Sequence, residues 1–401
     1  MSHFFFLKKR KNVVLCIFSF TLLTFSFLIL KILLIFALQA RCFVIHLYLS
    51  HRIITTFLKK AFTYLLLTLA LIAAATSCKP SGKGVDNAKP AVYYWRTSLY
   101  LDSTERQFMQ QHKVGKMYVR YFDVVLDKDR QLSPNATIRF EDSIPSGIEV
   151  IPTIFIVNEC CKHNLDTIAQ LLVDRVLKMN ETNDIKGVKE LQIDCDWTAK
   201  TQDAYFKFLE QVRQLLKDKN MTLSATIRLH QLSMPAPPVD YGVLMMYNTG
   251  ELKNSKQRNP ILDKRDVEPY LKNLAAYTLP LCAAYPNFGW QLLYTGNKFR
   301  DILYSEDLND TTLYRKVDEN KYFVISSIDL PNYLSSNSSY TYLNAGDTVM
   351  VVKPDAQTIV QVHDALSHER PGINNQVIIY SLNKSSINNY TPSDYEKIYR
   401  P

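Results

Sequence analysis

The sequence predicts an α/β fold of the (β/α)8 or TIM-barrel class, with a β-rich insertion before the last helix and strand. Three observations lead there. Short runs rich in β-branched and aromatic residues alternate with stretches of helical periodicity, as in consecutive βα units around a parallel sheet. Eight such runs occur. They occupy about 290 residues, the size such a barrel needs. An open doubly wound sheet shares the alternation, which does not by itself show closure.

The expected strands cover residues 92–96, 116–123, 149–158, 190–197, 223–231, 241–247, 278–285 and 376–382. Three helices between them are marked by an apolar face. Leu165, Ile168, Leu171, Leu172, Val176 and Met179 line up over 165–179, and Tyr205, Phe208, Leu209, Val212, Leu215 and Leu216 over 201–217. Val267, Leu271 and Leu274 do the same over 266–277, with Asp266 near the start. Two further helices, 103–112 and 355–367, should follow the first strand and precede the last. The second and fifth connections, 131–146 and 233–240, are rich in Pro, Ser and Asn and should be loops or short turns. Residues 309–354 exceed a minimal crossover and hold strand-like runs around a Ser/Asn-rich stretch, which predicts the inserted subdomain. The barrel is thus expected over 91–385, with 386–401 as a C-terminal tail.

Ahead of the barrel, composition changes. Residues 1–77 carry nine Lys or Arg and no Asp or Glu; removing those nine from the 47 basic residues leaves 38 against 38 acidic. The +9 charge therefore belongs to the first part of the chain, and the neutral body argues against nucleic acid as a partner. Residues 58–77 have the layout of a secretory signal: Lys59 and Lys60, an apolar run, then Ala75-Thr76-Ser77 before Cys78. The small residues before Cys78 resemble the lipobox of bacterial lipoproteins, which implies lipidation at Cys78, attachment to a membrane and a place in the bacterial cell envelope. Residues 78–90 then read as a tether. A transmembrane anchor ending at a cysteine is the alternative, although the apolar stretch is shorter than the roughly 20 residues a span needs. Residues 1–57 hold a second apolar run, either an extra membrane segment or a start codon assigned too early.

The remaining cysteines, Cys160, Cys161, Cys195 and Cys282, match no zinc spacing, so neither a metal site nor an essential disulfide is expected. With 11 glycines and no phosphate-loop or dinucleotide fingerprint, no nucleotide and no other cofactor is expected.

In a parallel barrel the carboxyl ends of the strands carry the site. The fourth expected strand ends Gln192-Ile193-Asp194-Cys195-Asp196-Trp197-Thr198, and alternation puts Asp194 and Asp196 on the inward face with Ile193 and Cys195 toward the helices. Other strand-end groups suit a polar ligand or a sugar face: Trp95, Arg96, Arg120, Asp123, Trp197, Arg228, His230, Tyr285 and Trp290. The arginines also admit a purely structural reading, an interior ion-pair network with Asp194 or Asp196.

The Asp194-Cys195-Asp196-Trp197 stretch resembles the signature strand of the chitinase and endo-β-N-acetylglucosaminidase family of glycoside hydrolases. Met245-Met246-Tyr247-Asn248 looks like that family's sixth-strand motif, and Leu279 through Tyr285 like its seventh-strand segment. Bacterial lipoproteins with a hydrolase-like barrel are similar too. The resemblance implies a glycan or oligosaccharide partner, with Asp196 orienting substrate, Asp194 tuning it, and Tyr247 and Asn248 supplying hydrogen bonds. It also exposes a departure: the family's proton donor falls at Thr198, whose hydroxyl is no acid at neutral pH. A hydrolase would need a displaced acid, with Glu159 or Asp123 the nearest by topology. Two functions follow as expectations, hydrolysis of a glycan or non-catalytic glycan binding, with a structural envelope protein as the third.

Overall fold

The computed structural model describes residues 89–252, 258–303, 306–331 and 340–400, and before them Lys31. The expectations on the signal, the tether and Cys78 lie outside the described residues. Among those residues no helix is long and apolar enough to cross a membrane.

Eight parallel strands close into a barrel. They are β1 (Ala91–Tyr94), β2 (Lys116–Leu126), β3 (Glu149–Ile156), β4 (Glu190–Asp194), β5 (Thr222–Ile227), β6 (Tyr241–Met245), β7 (Leu281–Pro286) and β8 (Val377–Tyr380). Each pairs with the next, and β1 pairs with both β2 and β8, so no barrel edge is left open. All eight expected strands are present, and closure decides against the open sheet. Gly242 on β6 shows how tightly the wall is drawn: a Cβ there would lie 2.7 Å from Ile227 on β5 and 2.9 Å from Leu281 on β7.

Helices α1 (Ser103–Gln111), α2 (Ala169–Thr182), α3 (Gln202–Lys217), α4 (Lys264–Leu274) and α5 (Ala356–Glu369) cover the outside. Alternation along each strand divides the core in two. Leu191, Ile193 and Cys195 join the helix-side cluster, while Tyr93, Tyr118, Val243 and Ile378 fill the barrel interior. Local caps fix helix entries. Asp102 accepts from the Glu105 amide at 2.9 Å, and the Glu105 side chain reaches back to the Asp102 amide at 3.2 Å, forming a capping box on α1.

Three expectations need correction. Residues 131–146 are not merely loop: β2 runs on to Leu126, and its end pairs antiparallel with Leu132–Asn135. The inserted sheet begins at Trp290, well before 309. Its strands Trp290–Thr295, Lys298–Leu303, Tyr314–Asp318, Lys321–Val324 and Thr348–Val352 form one antiparallel sheet, whose first hairpin turns at Gly296 with φ +58°. Residues 386–401 are no tail either. Helices α6 (Lys384–Ile387) and α7 (Pro392–Tyr399) close over α1, with the Tyr395 and Phe108 ring centroids 4.8 Å apart and Tyr399 Oη donating to the Ala91 carbonyl at 3.0 Å. Tyr395, Ile398 and Tyr399 recur three to four residues apart, which is the helical spacing that buries them together.

Candidate functional site

The polar content of the interior comes from β4 and β5. Glu190, Gln192 and Asp194 alternate inward on β4, opposite Ser224 and Thr226 on β5. Ser224 Oγ donates to Glu190 Oε1 at 2.6 Å, Gln192 Nε2 to Ser224 Oγ at 3.3 Å, and Tyr93 Oη to Gln192 Oε1 at 2.7 Å. This column leads up to the mouth, where Thr226 Oγ1 donates to Asp194 Oδ1 at 2.6 Å.

At the top of the column one guanidinium serves two carboxylates. Arg228, the residue after β5, donates from Nη2 to Asp194 Oδ1 at 3.1 Å and from Nε to Asp196 Oδ1 at 2.5 Å. Its Nη1 is buried without a hydrogen-bond partner among the described residues. Burial pushes the Asp194 carboxyl above the usual aspartate range, against the pull of Arg228 and Thr226. Burial works against the Arg228 charge, but the carboxylates of Asp194 and Asp196 outweigh it and hold the guanidinium protonated. The side chain of Asp194 is 6% exposed and that of Asp196 is 56%, so only Asp196 faces the solvent side of the mouth.

Beside this cluster runs a row of half-buried aromatic rings. Trp95, past β1, contacts Tyr380 at the end of β8 (centroids 5.8 Å apart), and Tyr380 contacts Tyr247, past β6 (4.7 Å). Phe288 meets Tyr247 and Trp290, both at 5.8 Å. The row draws on four barrel strand ends, those of β1, β6, β7 and β8, and on the first strand of the insertion. Arg120 lies over the Trp95 ring at 5.6 Å, and its Nε donates to Asp123 Oδ1 at 2.7 Å, which ties Asp123 down at the rim.

The structure therefore brings together Asp194, Asp196, Arg228, Trp95, Arg120, Asp123, Tyr247 and Trp290. Asn248 follows Tyr247, exposed and at φ +54°. Other expected site residues lie elsewhere. Arg96 is one position past inward-facing Trp95 and turns to the helix side, bonding buried Glu105 on α1 at 2.9 Å. Trp197 is fully buried against Tyr205 and Phe206 of α3, with centroids 6.2 and 5.1 Å away. Tyr285 is buried on the helix side and donates to Asn374 at 2.8 Å. His230 is exposed on a short 3-10 turn, because the strand ends at Ile227 rather than at 231.

Glu159 also fails as an acid. It sits half-buried on a 3-10 turn after β3, bonded to Lys162 Nζ at 2.5 Å and to Arg130 Nη2 at 3.4 Å. The Lys162 hydrogen bond pulls its carboxyl below the usual glutamate range, the opposite direction from the one proton donation at neutral pH requires. Thr198 is exposed, its amide bonded to Thr201 Oγ1 at 2.9 Å. Sequence reasoning missed Tyr380 and Phe288. Tyr380 ends a β-rich run two places after inward-facing Ile378, so alternation carried its signal; Phe288 lies past a strand end and carried none.

One test follows from the interior column. Burial raises Glu190 from the usual glutamate value of about 4.3, so the folded chain holds a proton there that the unfolded chain has released. Stability from this group is complete below the unfolded value and is lost as pH rises through the folded one. In melting curves from about pH 4 to 7.5, Glu190→Gln should therefore gain stability relative to wild type as pH rises. A difference that stays flat would refute it.

No protein-family model matches the chain, and no curated protein matches it. Among solved structures it is similar to the spore cortex-lytic enzyme SleL of Bacillus megaterium QM B1551, at 12% identity and TM-score 0.46 over 78% of this chain and 74% of that one. A chitinase from Chromobacterium violaceum ATCC 12472 aligns at 10% identity and TM-score 0.46, over 78% of this chain and 98% of that one. The Ostrinia furnacalis Group IV chitinase in complex with allosamidin aligns at 9% identity and TM-score 0.45, over 78% and 98%.

Proposed function

We propose that the chain is a lipid-anchored protein of the bacterial cell envelope whose barrel mouth binds a glycan without hydrolysing it. The aromatic row from Trp95 through Tyr380, Tyr247 and Phe288 to Trp290 carries this reading. Sugar rings have apolar C–H faces that pack on aromatic planes, and hydroxyl edges that need donors and acceptors alongside. Asp196 and Arg228 supply both next to the row. The signal-like residues 58–77 before Cys78 support export and anchoring.

Glycosidic cleavage requires a carboxylic acid that protonates the leaving oxygen. Position 198 offers a hydroxyl, Glu159 is held ionised by Lys162, and Asp123 is engaged by Arg120. A single observation favours hydrolysis as a second reading: Asp194 has its carboxyl raised by burial. It lies beneath Asp196, however, with Oδ1 already accepting from Thr226 and Arg228.

The test is a glycan array and hydrolysis screen on the purified chain, wild type beside Trp95→Ala and Asp194→Asn. The expected result is saturable binding without turnover. Trp95→Ala should weaken it roughly two- to twelvefold, the value of about 0.5–1.5 kcal/mol for one stacked ring, with an unchanged melting midpoint. Turnover lost in Asp194→Asn would establish the hydrolase. A blank screen for all three would leave the Asp194–Arg228–Asp196 cluster as a structural ion-pair network.

A further inference from the structure

Of the four described cysteines, all buried thiols, two meet across the site's support layer. Cys161 lies on the 3-10 turn after β3, and Cys195 is the first residue past β4, between Asp194 and Asp196. They are 34 positions apart in the chain, and their Sγ atoms stand 3.8 Å from each other, each the other's hydrogen-bond partner. Cys160, the neighbour in sequence, turns the other way and donates to the Val124 carbonyl on β2 at 3.4 Å. Both Cys161 and Cys195 belong to the helix-side core.

We infer that Cys161 and Cys195 are a covalent modification site, closing into a disulfide when the chain folds in an oxidising compartment. The sulfurs are already in contact at 3.8 Å, and a bond of about 2 Å asks them to approach further as the chain folds. Reaction must accompany folding, since both residues are buried afterwards, with 3% and 0% of their surface exposed. The oxidant is a disulfide of an exchange partner. The Cys161 thiolate attacks one sulfur of that disulfide, whose S–S bond breaks and releases one thiol. The Cys195 thiolate then attacks Cys161 Sγ in the mixed disulfide, forming the new bond and releasing the second thiol. Two thiols and one disulfide give one disulfide and two thiols, with two electrons passed to the partner. Closure would pin the turn carrying Asn158 and Glu159 to the strand end carrying Asp194 and Asp196 and remove freedom from the unfolded chain.

The experiment refolds the reduced full chain in a buffer of reduced and oxidised glutathione, blocks free thiols with N-ethylmaleimide, and maps it without reduction. Tryptic peptides 140–162 and 190–200 should be recovered joined. The join should vanish in Cys161→Ser and in Cys195→Ser and persist in Cys160→Ser, and reduction should lower the melting midpoint of the joined protein by several degrees. Should serine prevent folding, Cys161→Ala and Cys195→Ala replace those variants, and the wild-type map decides regardless. Recovery of both thiols alkylated in folded wild type, a join that requires Cys160, or a midpoint lowered by oxidation would each overturn the assignment.

Discussion

Trp197→Ala is expected to destabilise the chain by about 3–5 kcal/mol, the range for emptying a fully buried tryptophan site. Trp197 is completely enclosed, stacked on Tyr205 and edge-on to Phe206, where α3 meets the end of β4. Its backbone carbonyl also accepts from Gln231 Nε2 at 2.9 Å, tying β4 to the turn after β5. The indole Nε1 has no partner among the described residues, so Trp197→Phe should recover much of the loss by refilling volume without orphaning a donor. Denaturant titration of the two variants checks the order. If Trp197 were instead a sugar platform, alanine would spare stability and weaken glycan binding, the pattern expected for Trp95→Ala.

Asp194→Ala should follow closely, at about 3 kcal/mol or more, because it strands Arg228 and Thr226 in a buried setting. Asp194 is the buried partner of Arg228, whereas Asp196 is more than half exposed. Asp196→Ala leaves the guanidinium its contact with Asp194 and should therefore cost less than about 1 kcal/mol. Asp194→Asn keeps an acceptor for Thr226 and should fall between the two. Equal losses from the two alanine variants in denaturant titrations would show that the cluster acts as one unit rather than through its buried member.

The eight strands were legible because each combines β-branched or aromatic residues with flanking turn signals, and the parallel order followed from the helices between them. Strand parity was legible at Asp194, since Ile193 and Cys195 are apolar on either side and mark the helix face. The same parity, followed two residues further, places Trp197 on the helix face and contradicts its use as a platform. It likewise turns Arg96 outward once Trp95 is taken as inward, and Tyr285 outward with Leu281 and Ala283. Residue type suggested those side chains for the site, but backbone alternation decided otherwise. What sequence could not carry was the tertiary pairing: that Arg228 would reach back to two aspartates 32 and 34 positions earlier, or that Tyr380 would meet Trp95 only because β8 closes on β1. The chain order of the elements was local information; the composition of the mouth was not.

The inserted sheet has its own core, in which Leu293, Leu303, Tyr314, Val324, Leu343 and Val349 pack together and share no member with the two barrel clusters. Its strands pair with one another and with none of the barrel strands. Yet its first strand contributes Trp290 to the aromatic row. For the binding mouth proposed above, recognition and folding then fall under separate control: changes that reshape this module are expected to alter what the mouth accepts while the pairing of the barrel strands, which none of its strands joins, is left as it is.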